Sequence, residues 1–98
     1  MKKHLKIRIS GKVQGVWFRD STKAVANQLG ITGFVRNEPD GTVYIEAEGT
    51  SSDMSQFLAW CHEGPERAKV ERVETEESGQ LQGFTDFVVR KKGIFGSK

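Results

Sequence analysis

Residues 5–19 read Leu5-Lys6-Ile7-Arg8-Ile9-Ser10-Gly11-Lys12-Val13-Gln14-Gly15-Val16-Trp17-Phe18-Arg19. Leu5, Ile7 and Ile9 alternate with Lys6, Arg8 and Ser10. A period of two with one polar face predicts a half-buried strand. Gly11 and Gly15 then punctuate a loop, and the period changes. Ala24, Val25 and Leu29 share one face at helical spacing, which predicts a helix from about Asp20 to Leu29. Asp20 or Ser21 is the expected N-cap, and Gly30 stands where a C-terminal glycine belongs.

The pattern extends outward from this strand–loop–helix unit. A second strand is expected from about Ile31 to Asn37. The turn Glu38-Pro39-Asp40-Gly41 follows, with Pro39 presetting φ and Gly41 tolerating positive φ. Val43, Ile45 and Ala47 alternate with Tyr44, Glu46 and Glu48, completing a hairpin. Ser51, Ser52 or Asp53 can cap a second helix, whose apolar stripe is Met54, Phe57, Leu58 and Cys61, and Gly64-Pro65 stops it. A strand from Ala68 to about Thr75 changes parity between Val70 and Val73, which predicts a β-bulge. Residues 79–83 read as a loop and Phe84 to Arg90 as a last strand. The order is β-α-β-β-α-β, two split βαβ units, with an extra short strand or extension at the end. It predicts an α+β, ferredoxin-like two-layer sandwich, an antiparallel sheet with two helices on one face. One domain is expected over residues 1–98, with its core at about 5–90 and a flexible tail at 91–98.

Composition suits such a domain. Hydrophobic residues are 36% and charged residues 29% of 98 residues. A net charge of +2 falls short of the basic stripe of a dedicated nucleic-acid binder, so no nucleic-acid partner is expected. The cluster Arg90, Lys91, Lys92 and Lys98 reads as a solvated tail. The lone Cys61 can form no internal disulfide. No run has the length or continuity of a transmembrane span or a signal sequence. A cytoplasmic monomer without a membrane partner is the resulting expectation.

The first βα junction carries chemistry. Backbone amides there point beyond the end of the sheet, and the following helix adds the positive end of its dipole. Glycines let the chain pass close to a ligand, and Arg19 at the helix entrance can donate a forked hydrogen bond to phosphate. The Gly-Lys-Ser/Thr ending of a Walker A loop is missing. In a split βαβ unit the first two strands run parallel, so Arg19, after the first, and Asn37, ending the second, face one patch of space. Asn37 can both donate to and accept from water.

Gly11-x-Val13-Gln14-Gly15-Val16-x-Phe18-Arg19, then Leu29-Gly30, Gly33-Phe34-Val35-Arg36-Asn37 and Asp40-Gly41-x-Val43, resemble the signature of the acylphosphatase family over roughly residues 5–90. The resemblance implies hydrolysis of an acyl phosphate to a carboxylate and inorganic phosphate, the latter both product and inhibitor. It implies that Gly15, Val16, Trp17, Phe18 and Arg19 bind the substrate phosphate and that Asn37 orients the attacking water. Arg19 and Asn37 are then the catalytic pair, with no metal and no cofactor. Phe34 stands where many relatives carry Trp, and the tail 93–98 runs past the usual end.

Other features have plainer readings. Trp17 is either a wall of the substrate site or part of the core. His4 and His62 read as surface residues, and Glu46, Glu48, Glu74, Glu76 and Glu77 as solvated strand faces. Cys61 to Arg67 satisfies the Cys-x5-Arg pattern of cysteine phosphatases. It runs helix to strand, however, with Glu63 and Glu66 disfavouring both thiolate and phosphate. Gly83-Phe84-Thr85-Asp86-Phe87-Val88 faintly resembles the aromatic pattern of an RNA-binding sheet, with the spacing off by one and Asp86 where a base would stack.

Overall fold

The computed structural model describes residues 1–91. Along the chain run β1 (Lys2–Lys12), α1 (Phe18–Leu29), β2 (Thr32–Asn37), β3 (Val43–Thr50), α2 (Ser51–Glu63), β4 (Lys69–Ser78) and β5 (Phe87–Arg90). The sheet order is β4-β1-β3-β2-β5. The first four strands form the expected antiparallel ferredoxin-like sheet. β5 corrects the all-antiparallel expectation, because it pairs with β2 in parallel. The chain leaves β4 at one edge, crosses to the other and turns back, so β5 runs opposite to β4 and alongside β2.

Leu5, Ile7 and Ile9 pair with Ala47, Ile45 and Val43, and this face is buried under the helices. Met54, Phe57 and Cys61 are the buried stripe of α2, with Leu58 packed at its margin. In α1 the inward face is Phe18, Thr22 and Ala26 with Val25 and Leu29 beside them, while Ala24 is exposed. Each large apolar side chain buried here contributes roughly 1.5–3 kcal/mol relative to exposure.

Both helices begin earlier than the cap residues suggested. α1 starts at Phe18, because Phe18 is pulled into the core against Trp60 with ring centroids 5.4 Å apart. Neither Asp20 nor Ser21 caps it. The N-cap is Trp17, with no side-chain hydrogen bond, and Asp20 falls in the first turn. Gly30 ends α1 at φ 73°, as expected. The N-cap of α2 is Thr50, whose hydroxyl accepts from the Asp53 amide at 3.1 Å, in place of Ser51, Ser52 or Asp53. The bulge lies where parity changes: Ser10 pairs with Arg72 and Gly11 with Val70, leaving Glu71 over. A Cβ on Gly11 would run into the Lys69 carbonyl there. β4 is longer than expected and β5 shorter. Residues 84–86 stay out of the ladder because the crossing segment is tied elsewhere.

That tie corrects the reading of His4 and Glu48 as surface groups. Both are buried on the face away from the helices. The Glu48 carboxylate accepts from the amides of Gln82, Gly83 (3.1 Å) and Phe84 (3.3 Å), pinning the crossing segment onto the sheet. His4 Nδ1 lies 2.7 Å from Glu48 Oε2 and Nε2 lies 2.9 Å from Glu46 Oε1. Tyr44 donates to Glu46 Oε2 at 2.7 Å, so Glu46 is also half-buried and partnered. Glu74, Glu76 and Glu77 are exposed, as is His62.

Candidate active site

β1 delivers the chain to the end of the sheet, and Val13 anchors it there in the core. Gln14 then ties the loop to the β2–β3 hairpin. Its Nε2 donates to the carbonyls of Glu38 (2.8 Å) and Thr42 (2.9 Å). Sequence reasoning assigned Gln14 no task; an amide inside a glycine loop is the signal that could have raised it. Gly15 has φ 74° and Trp17 φ 65°, so the backbone curls twice within three residues before α1 begins. Ser21 makes the first helical bond, to the Trp17 carbonyl at 3.0 Å. The amides of Phe18, Arg19 and Asp20 have no hydrogen-bond partner among the described residues. Free amides at a helix start are an anion-binding device.

A pocket of about 260 Å³ opens at this point, lined by Val13, Gly15, Trp17, Phe18, Arg19, Asp20 and Asn37. Arg19 and Asn37 therefore meet at one cavity, as strand direction required. Gly15, Trp17 and Phe18 line it as well. Val16 does not; it turns into the core at 5% exposure. Asp20, first read as a cap, is a lining residue beside Arg19. Trp17 is 74% exposed on the pocket rim and is no part of the core.

Two polar groups stand out. Arg19 Nη1 donates to the Arg90 carbonyl at 3.2 Å, so the end of β5 steadies a guanidinium whose other donors have no partner among the described residues. Asn37 Oδ1 is buried without a hydrogen-bond partner among the described residues. A buried acceptor of this kind calls for a donor, from a ligand or a water.

The competing sites fall away on geometry. Cys61 is fully buried, and burial pushes its thiol up to about 12, so no thiolate is available as a nucleophile. On the sheet face away from the helices, Phe34 is buried under the Arg90 guanidinium, 3.8 Å from its ring centre, and packs edge-on against Phe84. No open aromatic platform is left there for bases. Among the described residues no three His, Cys, Asp or Glu side chains form a metal-binding group. No helix among them is long and apolar enough to cross a membrane. Arg90 and Lys91 are exposed; Lys92, Lys98 and the tail 93–98 lie outside the described residues.

Fold and loop together define a ferredoxin-like domain with a pocket at the first βα junction, lined by Arg19 and Asn37. The acylphosphatase family model matches residues 5–89. The acylphosphatase of Marinobacter nauticus is 54% identical over 79 residues, 81% of this chain and 86% of that protein. The crystal structure of acylphosphatase from Bacillus subtilis matches with TM-score 0.88 and 32% identity, covering 92% of this chain and 99% of that one. An acylphosphatase structure from Coxiella burnetii matches with TM-score 0.87 and 37% identity, covering 91% and 93%. The chain belongs to the acylphosphatase family and is a hydrolase of acyl phosphates.

Proposed function

We propose that this pocket hydrolyses acyl phosphates with Arg19 and Asn37 as its catalytic residues. The carrying observation is the unpartnered Asn37 Oδ1 in the same cavity as Arg19 and the free amides at the start of α1. The substrate phosphate sits on the loop from Gly15 to Phe18 and on the helix amides. Arg19 donates to its oxygens and stabilises charge that shifts onto them in the transition state. Asn37 Oδ1 accepts a hydrogen bond from a water and aims its lone pair at phosphorus. The water oxygen bonds to phosphorus as the bond from phosphorus to the acyl oxygen breaks. That electron pair leaves with the carboxylate, and the water proton passes to a phosphate oxygen. A carboxylate is a good leaving group, so positioning and charge supply most of the rate. Inorganic phosphate, which keeps the contacts of the substrate phosphate, is a competitive inhibitor. A cytoplasmic monomer acting on a small molecule, with no nucleic-acid partner, fits the modest net charge of +2.

The test is phosphate release from an aryl acyl phosphate in chelator, wild type against Asn37→Ala, with folding checked by circular dichroism. A loss of at least about 100-fold in kcat, equivalent to about 2.7 kcal/mol, is expected. An Asn37→Ala enzyme that keeps wild-type turnover removes Asn37 from the mechanism.

A further inference from the structure

Trp17 is costly to the folded protein in two independent ways. Among the described residues it is the one non-glycine residue at positive φ, with φ 65° and ψ 23°, a conformation that suits Gly or Asn and crowds a bulky side chain. Its indole is also 74% exposed, outside the core cluster, and stacks on none of the described aromatic rings. The other exposed large apolar residues, Met1 and Leu81, lie at the terminus and on the crossing segment. Trp17 lies on the rim of the pocket holding Arg19 and Asn37. Strain and exposure held together at a pocket are observations from which a role can be argued.

In-line displacement supplies the direction. Water and leaving group occupy opposite sides of phosphorus, so with water held at Asn37 the acyl group projects away from Asn37. Of the other lining residues, Val13 and Phe18 are almost wholly buried, Gly15 has no side chain, and Arg19 and Asp20 are charged. The exposed apolar surface left for an acyl group is the indole. Resting on the phosphate-and-water reading above, we infer that Trp17 is the acyl-group platform, and that the enzyme prefers acyl phosphates with an aromatic or extended apolar acyl group over acetyl phosphate.

The test compares benzoyl phosphate with acetyl phosphate for wild type, Trp17→Gly, Trp17→Asn and Trp17→Phe, with inhibition by inorganic phosphate measured alongside. Gly and Asn both suit the left-handed backbone, so a folding failure of one leaves the other. For the Gly and Asn variants, the ratio of kcat/KM for benzoyl phosphate to kcat/KM for acetyl phosphate is expected to fall about tenfold, mainly through the KM for benzoyl phosphate, while phosphate inhibition reads any disturbance of the loop itself. Trp17→Phe is expected to restore most of the benzoyl preference. Equal losses on both substrates, or none on either, overturn the platform. A wild type that hydrolyses neither substrate overturns the hydrolysis reading itself, a result distinct from either of those.

Discussion

Two polar clusters in this molecule are built on opposite terms. On the sheet face away from the helices, His4, Glu46 and Glu48 are wholly or partly buried and every polar atom among them has a partner. At the first βα junction, three amides and the Asn37 oxygen have none among the described residues. Both clusters hold polar groups that are costly to desolvate unpaired. In the first the protein supplies the partners, and the product is an anchored crossing segment. In the second the partners must come from outside, and the product is a site. On the proposed reading, incomplete satisfaction, more than polarity or charge, marks the site.

The sharpest way to break this contrast is to remove one member from each cluster and read both activity and stability. Asn37→Ala is expected to combine the 100-fold activity loss with a stability change within about 0.5 kcal/mol in urea, since Oδ1 has no protein partner to lose. Glu48→Ala should do the reverse. It strands the amides of Gln82, Gly83 and Phe84 and faces His4 with a void, so about 3–5 kcal/mol of stability is expected to go, with kcat kept in the protein that remains folded. A Glu48→Ala protein as stable as wild type would mean the crossing segment is held by Phe84 packing alone.

Proton linkage gives a milder version of the same test. Burial alone would raise the Glu48 carboxyl, but the Gln82 amide, His4 and the amides of Gly83 and Phe84 outweigh it and hold Glu48 below its ordinary value of 4.5. The folded protein thus keeps this carboxylate at pH values where the unfolded chain has taken up a proton. The stability it contributes is complete above about pH 4.5 and is lost as pH falls through the lower, folded value. Urea midpoints measured from pH 6 downward should fall more steeply for wild type than for Glu48→Gln, which has no proton to take up there. Parallel curves would show that other carboxylates govern the acid limb.

The same contrast explains what was legible in the sequence. β1, β3 and α2 follow from local periodicity in Leu5–Ile9, Val43–Ala47 and Met54–Cys61, and periodicity is written in the chain. Arg19 and Asn37 could be placed at one end because strand direction follows from element order. His4 and Glu48 were misread because strand alternation puts both on the polar face, and only a segment more than thirty residues further along covers that face. The parallel docking of β5 depends on the same long-range contact. The glycine loop points to Trp17 and Gln14, but the positive φ of the one and the cross-loop hydrogen bonds of the other are encoded by no spacing.

The smallest expected effect is the most discriminating for Trp17. Its neighbour Phe18 is buried against Trp60, so Phe18→Ala should cost about 3–5 kcal/mol. Trp17→Gly removes a larger side chain, yet that side chain touches little and its backbone is in the left-handed region. Relief of that conformation, of order 1 kcal/mol, opposes the roughly equal entropy cost of a new glycine. The net change in unfolding free energy is therefore expected to lie within about 0.5 kcal/mol. A loss above about 2 kcal/mol would show that the indole holds the loop together, and the exposed ring would then belong with the satisfied cluster on the other face. A near-zero value beside a tenfold loss on benzoyl phosphate would separate the two roles cleanly: the backbone of residue 17 builds the start of α1, and its side chain serves the substrate.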